Sequence, residues 1–345
     1  MITYSKAGVN RKIRDRAKKS LKSFELTYKL SKYGKIIKTP FNTLYPIGNN
    51  RYQVKTCDGV GTKVLLAEWI NKHNTIGKDA IAMVVNDCIR CGAKPIAITD
   101  IIDIKKSEPK LLREIQKGLI FGAKEANCPL IGGEIADVPE LLNTFYHINC
   151  DCVGELKKKD IITGEKIRPG NIIIGFQSSG IHSNGLTLLR KVLFKKWGGK
   201  FNSFDKLNGF KRELIFECLE PTKIYVKPFL KIVKRFEILG AVHITGDAYL
   251  KFKKLNRKVG FEFNNFKPQP IFNLIQKTGK ISLKEMFRTF NMGWGFAIIV
   301  KNKDTNKILN LLKKEKVEAE VIGKVIKEKQ IFIIYKNKKI ILVKD

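Results

Sequence analysis

The stretch Val54-Lys55-Thr56-Cys57-Asp58-Gly59-Val60-Gly61-Thr62-Lys63 decides how the chain is read. A β-like run ends in an acid, two glycines uncover backbone N–H groups, and a Thr-Lys pair opens a helical pattern from Thr62 to His73. Such a turn can hold an anion together with its metal counter-ion, because glycine lets the main chain approach closely and a helix start favours negative charge. It is not a P-loop. The Gly-x-x-x-x-Gly-Lys-Ser/Thr spacing is absent, and Gly59-Val60-Gly61 lacks the third glycine of a dinucleotide fingerprint. Taken alone, the stretch reads equally as a glycine turn bearing a solvated acid.

Three more acids stand at or near the ends of apolar elements in the same half of the chain. Ala80 to Cys91, stopped by Gly92, is a helical pattern apolar almost all round, which predicts burial. Asn86 and Asp87 interrupt it, and a buried carboxylate must be paired or bind metal. Arg90 is the plain partner for Asp87; a cation is the sharper one. Pro95 to Asp103 is a buried strand that carries Asp100, Leu111 to Asn127 is an amphipathic helix, and Pro129 to Asp137 is a strand with Gly132-Gly133-Glu134. Four acids so placed in a basic protein suggest a shared cation site, and oxygen ligands of this kind suit Mg²⁺, which fills its shell with water and substrate phosphate.

The chain of 345 residues is long enough for two domains, and 43% hydrophobic residues mark a folded protein. Its 66 Lys+Arg against 32 Asp+Glu give +34, which invites a nucleic-acid reading. The lysines are spread along nearly the whole chain, however, and no zinc-finger or RNP-type signature accompanies them, so a general lysine bias is the simpler cause and no specific nucleic acid is expected. Met1 to Phe24 is polar and basic with no apolar core, and no apolar run nears the roughly 20 residues of a spanning helix. Neither a secretory signal nor a membrane contact is expected. Cys88 and Cys91 have no second pair to complete a zinc site and are read as reduced, part-buried thiols. The expected location is cytoplasmic. Residues 1–50 read as a flexible basic arm.

Pro169-Gly170 marks a boundary between domains 1–168 and 169–345. Beyond it, strand Ile172 to Phe176 leads into Gln177-Ser178-Ser179-Gly180-Ile181-His182-Ser183-Asn184-Gly185 and a helix from Leu186 to Lys196. Hydroxyls, glycines and a histidine in one strand-to-helix turn resemble a second anion cradle. His182 alone is more often a structural hydrogen-bonding residue than a catalyst. Strands and a helix fill 304–345.

The order of these turns resembles the phosphoribosylformylglycinamidine cyclo-ligase (aminoimidazole ribonucleotide synthetase) family of purine biosynthesis. The matching pieces are Tyr4-x-x-Ala-Gly-Val, Asp58 to Lys63, His73-Asn-Thr-Ile-Gly, Val85-Asn-Asp87, Gly92-Ala-x-Pro95, Gly132-Gly-Glu134, Ser178 to Gly185, Pro221-Thr-Lys-Ile-Tyr-Val226, His243-Ile-Thr-Gly246 and Phe287-Arg-Thr-Phe-Asn291. The acid-glycine turn and Gly-Gly-Glu are shared with a wider ATP-using superfamily; His73 to Gly77, Pro221 to Val226 and Phe287 to Asn291 narrow the match. Four places depart from the pattern: Asn10 stands for an acid, Ile135-Ala-Asp137 for Thr-Ala-Glu, Met292-Gly-Trp for a Cys-Gly-Val type sequence, and Thr245-Gly-Asp247-Ala-Tyr for Thr-Gly-Gly-Gly-Phe. The last puts a carboxylate into a turn expected to meet substrate, where it would repel a phosphate.

The resemblance implies an α/β (α+β) fold of two domains, the first contributing strands to a dimeric β-barrel and binding ATP, the second an α/β sheet domain binding the substrate. It implies ATP-driven ring closure of formylglycinamidine ribonucleotide with Mg²⁺, K⁺ being possible, in a homodimer. Carried over by residue, Asp58, Asp87 and Asp100 are metal ligands, Glu134 shares that shell or orients a water, and His182 is catalytic or substrate-binding. Gly59, Val60, Gly61, Thr62, Lys63, Asn86, Gly132 and Gly133 meet ATP. Ser178, Ser179, Gly180, His182, Ser183, Asn184, Thr245 and Gly246 meet the ribonucleotide. The rivals are a small-molecule kinase of the superfamily, a degenerate ATP-holding protein and a nucleic-acid-binding protein.

Overall fold

A computed structural model describes residue 8 and residues 11–344 of the chain. The Tyr4-to-Asn10 motif, apart from Gly8, lies outside the described residues. The first half forms a six-stranded sheet from β1 (Ile37–Lys38), β2 (Thr43–Pro46), β3 (Arg51–Gly59), β4 (Lys94–Ile104), β5 (Leu130–Asp137) and β6 (Tyr146–Lys157), in the order β1-β2-β3-β6-β4-β5. Only β4 and β5 run parallel. Along β6 buried and half-buried residues alternate strictly, so one face of the sheet is covered and the other open. The cover is supplied by α3 (Ile76–Ile89), which follows α1 (Arg11–Ser20) and α2 (Val64–Trp69), and by α4 (Pro109–Ala126) beyond it.

Helix α3 is almost wholly buried, as its all-round apolar sequence requires. It meets α4 at glycines. A Cβ on Gly77 would stand 2.4 Å from the Ile115 carbonyl oxygen, and one on Gly118 would stand 2.4 Å from that of Asn74. The absent side chains are what let the two backbones touch.

The second half forms a seven-stranded sheet from β7 (Ile172–Gln177), β8 (Gly240–His243), β9 (Gly260–Phe263), β10 (Trp294–Val300), β11 (Ala319–Ile326), β12 (Ile331–Tyr335) and β13 (Lys338–Val343). Their order is β13-β12-β9-β11-β7-β10-β8, antiparallel except where β12 meets β9. Strand β10, buried at every position, is the spine of this core. Helices α5 (Leu186–Leu193), α6 (Leu214–Leu219), α7 (Val226–Val233), α8 (Pro270–Thr278), α9 (Leu283–Thr289) and α10 (Thr305–Lys314) pack around it. Buried side chains of both halves join in one contiguous apolar cluster.

The expected elements are present with shifted ends. The helix after Asp58 is a 3₁₀ turn, Gly61–Lys63, followed by a short α2, and the Leu186 helix ends at Leu193. The supposed flexible arm is a correction: residues 11–30 form α1 and a 3₁₀ segment, tied down where Lys38 bonds Glu25 and Arg14 bonds Asp247. Cys88 and Cys91 are buried free thiols, and burial pushes the Cys91 thiol up to about 11.

Gly118→Val forces a branched side chain into this helix contact, and overpacking of this kind costs roughly 1–3 kcal/mol. The midpoint of thermal or urea unfolding is expected to fall accordingly. A midpoint equal to wild type is incompatible with the glycine contact described.

Candidate active site

Helix α3 carries its polar residues on the side that meets the second half. Asp79 and Asn86, seven residues apart, share one helix face. Both are fully buried. Asp79 Oδ1 accepts from Thr222 N at 2.7 Å, Thr222 Oγ1 at 2.5 Å and Ser183 Oγ at 3.1 Å. Its Oδ2 lies 2.7 Å from Lys63 Nζ, which also donates to the Glu220 carbonyl at 2.6 Å. Asn86 Oδ1 accepts from Tyr225 N, and its Nδ2 donates to the Lys223 carbonyl, each at 2.9 Å. The run Pro221 to Val226 is therefore a docking strip. Lys63 and Asn86, expected at ATP, are occupied here because a buried ammonium and a buried amide must be satisfied where they lie.

The turn after β7 is likewise spent on the fold. Ser178 Oγ lies 3.1 Å from Asn291 Oδ1, Ser179 Oγ donates to the Pro221 carbonyl at 2.5 Å, and Ser183 belongs to Asp79. Asn291 Nδ2 holds the Gly180 carbonyl at 2.8 Å. His182 is buried in the left-handed region with φ 62°, and its Nε2 accepts from Ser179 N at 3.2 Å. Burial, with the nearby His243 and Lys63 charges, pushes its pKa well below the ordinary value, so the ring stays neutral. These are the surroundings of a structural histidine, whereas the resemblance carries a catalytic role to it. Asn184 differs: its Nδ2 is buried with no hydrogen-bond partner among the described residues. Gly246 faces it, since a Cβ there would stand 3.5 Å from Asn184 Oδ1.

The acids divide into three settings. Asp87 is bonded at 2.9 Å to Arg90 Nη1 and at 2.9 Å to His243 Nδ1 of the second half. Burial alone would push its carboxyl up, but Arg90 and His243 hold it well below the usual range. Asp58 and Asp100 are both raised by burial, Asp58 also by the Asp87 charge, and Asp58 Oδ1 accepts from Gly59 N at 2.9 Å. Both are paired with Cys150 of β6 from opposite sides, so they share the covered face with their Cα atoms about 10 Å apart. Glu134 is level with Ile101 instead, one residue out of step with Asp100, and so lies on the opposite face. Among the described residues no three ligating side chains converge as a metal cage, so the expected Asp58–Asp87–Asp100 set is not preassembled.

Glycines keep the strand ends open. Gly61, with φ 65°, and Gly132 have nothing within 4 Å of a Cβ, whereas one on Gly59 would strike Asn149 Oδ1 at 2.2 Å and one on Gly133 would strike Asp100 Oδ1 at 2.5 Å. Val60 is a core residue, and Thr62 Oγ1 lies 3.2 Å from Thr187 Oγ1 across the junction. Facing these from the second half is the turn after His243. Lys251 Nζ donates to the His243 carbonyl at 3.1 Å and bonds Thr245 Oγ1, and burial brings its pKa down to about 8. Asp247 Oδ2 lies 2.6 Å from Arg14 Nη2. Asp247 and Ala248, with φ 68° and 38°, keep a backbone suited to glycine. Asp tolerates it; at Ala248 it costs on the order of 1–3 kcal/mol. Lys251 and Arg14 carry no sequence signal among 66 basic residues. Asp79 had one, as an acid at the start of a buried helix.

Glycine-bearing strands and carboxylates on one side and a Thr-Gly turn on the other, at the junction of two α/β halves, are the arrangement of a two-domain AIR synthase-related protein. Models of the AIR synthase related protein N-terminal and C-terminal domains match residues 42–156 and 168–336. The phosphoribosylformylglycinamidine cyclo-ligase of Methanocaldococcus jannaschii is 42% identical over 333 residues, covering 94% of this chain and 93% of that protein. Among solved structures, a HypE–HypF complex aligns with TM-score 0.63 at 18% identity, over 88% of this chain and 93% of that one. T. maritima PurL complexed with ATP aligns with TM-score 0.59 at 14% identity, over 86% and 44%. The chain belongs to the phosphoribosylformylglycinamidine cyclo-ligase family.

Breaking a buried ion pair by removing one partner costs about 3–5 kcal/mol, whereas apolar replacement of both can be close to neutral. Asp79→Leu and Lys63→Met are each expected to be strongly destabilised in urea unfolding, and the double variant to lose less than the sum of the two while the Thr222 and Ser183 donors still lack their acceptor. If the double variant is as unstable as the sum of the singles, the pair is not a unit.

Proposed function

We propose that the chain catalyses ATP-dependent cyclisation of formylglycinamidine ribonucleotide to aminoimidazole ribonucleotide, releasing ADP and phosphate, as a cytoplasmic enzyme of de novo purine biosynthesis. The observation that carries this reading is the Asp87–His243 bond, which brings the carboxylate ends of the first sheet against the Thr245 turn of the second. No helix among the described residues is long and apolar enough to cross a membrane.

The formamide oxygen takes the γ-phosphoryl of ATP, and the neighbouring amidine nitrogen then attacks that carbon and expels phosphate. Oxygen leaves poorly as hydroxide and readily as phosphate, so the protein's task is to align the phosphoryl and balance its charge. No covalent enzyme nucleophile is needed. Residues 1–168 bind ATP: the Gly61 and Gly132 amides and Thr62 face its phosphates, with Gly59, Val60 and Gly133 shaping that wall. Asp58 and Asp100 share a face on either side of Cys150, which suits Mg²⁺ carried in by phosphates, since the ion takes one or two carboxylates and completes its shell with water and phosphate oxygens. When bound, the ion would supply charge neutralisation, with K⁺ as a second counter-ion. Residues 169–345 bind the ribonucleotide through Asn184, Thr245 and Gly246, on walls fixed by Ser178, Ser179, Gly180, His182 and Ser183. Glu134, on the open face, belongs to the subunit contact.

That contact is a homodimer. Strand β5 is an edge strand exposed along most of its length, with Ile131 and Ile135 uncovered, and Ile101 of β4 is exposed on the open face. An apolar edge left unpaired is a template for a second chain.

Incubated with formylglycinamidine ribonucleotide, ATP, Mg²⁺ and K⁺, the protein is expected to yield ADP and a diazotisable aminoimidazole; phosphorylated substrate without ring closure would point to a kinase instead. Asp58→Asn and Asp100→Asn are each expected to lower turnover on the order of 10²-fold, the scale of one lost electrostatic contact in a reacting site. Near-wild-type rates in both would remove the carboxylates from the chemistry. Sedimentation velocity is expected to show a dimer that Ile131→Lys with Ile135→Lys converts to monomer.

A further inference from the structure

Arg190 of α5 is a buried guanidinium with no acid beside it. The helix closes as Phe194 N donates to the Arg190 carbonyl at 3.0 Å, and the short turn Lys195–Trp197 then brings Trp197 back against it. Arg190 Cζ lies 5.0 Å from the Trp197 ring centroid, and only 7% of the residue stays exposed. Among the described residues no acceptor bonds any of its nitrogens, and Nε is sealed from solvent. Burial alone pulls its pKa down, with no carboxylate acting against it. Contact with a π face answers part of the charge but gives the N–H groups no acceptor, and it returns less than a buried ion loses in hydration. Arg90, buried elsewhere in the chain, shows the ordinary solution: it is bonded to Asp87. A second cation meets the same aromatic group. Lys196 Nζ lies 5.3 Å from the Trp197 ring and 5.5 Å from that of Trp69, and the two indoles meet edge to face at 5.2 Å. Glu68 feels the Lys196 charge, but burial raises its carboxyl and its Oε1 accepts from Phe145 N.

We propose that Arg190, with Lys196 and the indoles of Trp69 and Trp197 beside it, is a phosphate-binding site apart from the Asp58–Thr245 cleft. The ligand is a phosphate group, free or as a monoester. Its oxygens supply the acceptors that the guanidinium lacks, and its second negative charge answers Lys196. The site takes no part in the proposed ring closure and stands or falls without it. Its place in the fold gives occupancy a route to the cleft. Thr187, three residues before Arg190 on α5, lies 3.2 Å from Thr62 of the glycine turn, and Trp69 ends the helix that the same turn opens. A phosphate held here bears on both elements that flank that turn.

Two of the three tryptophans of the chain stand at the site and report on it. Tryptophan emission of the full-length protein is titrated with sodium phosphate, with glycerol phosphate and, as a monocarboxylate, with sodium acetate, at an ionic strength held constant with NaCl. A saturable change is expected with both phosphates, and the one that half-saturates at the lower concentration tells whether the free ion or an ester is the natural source. Arg190→Lys keeps the charge and loses the fork, so its half-saturation is expected to rise about tenfold, the range of one charged hydrogen bond; in Arg190→Met the change is expected to vanish. Thermal unfolding gives an independent reading. Phosphate is expected to raise the wild-type midpoint by linkage and to leave that of Arg190→Met where it is. In phosphate-free buffer Arg190→Met is expected to unfold no earlier than wild type, because an unpaired buried charge has been exchanged for an apolar stem. An emission change that never saturates is the +34 surface gathering anions, and it overturns the proposal. So does a half-saturation that Arg190→Lys leaves unchanged, or an acetate response at lower concentration than that of phosphate. Earlier unfolding of Arg190→Met in phosphate-free buffer overturns it as well, since Arg190 is then a structural partner of Trp197.

Discussion

The structure depends on one buried ion pair. Lys63 and Asp79 Oδ2 face each other at 2.7 Å with neither side chain exposed, and Asp79 Oδ1 is turned to Thr222 and Ser183 of the other half. An ammonium and a carboxylate out of water are tolerated only with such complete pairing. The constraint runs outward from there. Lys63 ends the glycine turn that follows Asp58, so fixing Lys63 fixes that turn. Asp79 begins α3, so fixing Asp79 sets the height at which Asn86 and Asp87 meet Tyr225 and His243.

Two consequences follow for the cleft. Polar residues of α3 and of the Ser178–Gly185 turn that look like ligands for a nucleotide are largely ligands for the protein, and they hold two sheets in register. What the docking leaves over is the uncrowded backbone at Gly61 and Gly132, the buried amide of Asn184, and the carboxylates of Asp58 and Asp100 flanking Cys150. A site built from residues that the docking leaves over can be reshaped at its rim without disturbing the core. The Thr245–Ala248 turn is such a rim, and there the chain has exchanged glycines for Asp247 and Ala248 while keeping their backbone geometry.

The elements were legible wherever periodicity was strong. The all-round apolarity of α3 and the amphipathic α4 appear where the sequence puts them, with ends displaced by a few residues because caps and 3₁₀ turns are set by neighbours. The pairing of Asp87 with Arg90 was legible as well, three residues apart on one helix. His182, carried over as a catalytic or substrate-binding residue although a lone histidine in such a turn is more often structural, is a neutral, buried ring that accepts from Ser179 N. The arm at residues 11–30 was not legible, because a run of lysines and arginines carries no sign of the carboxylate, 233 positions on, that Arg14 bonds.

By itself the sequence determined the order of strands, glycine turns and acids, and with that order the family, because these are local patterns written in residue type and spacing. Only the tertiary structure decided which polar residues are spent on docking and which are left for chemistry. Lys63 and Asn86 at the junction are polar groups whose roles depend on what faces them, Glu220 and Tyr225, and facing is a property of two sheets brought together across more than a hundred residues. A hydrogen bond or ion pair is short-ranged and directional, so its existence is settled by ångströms that no single stretch of sequence contains.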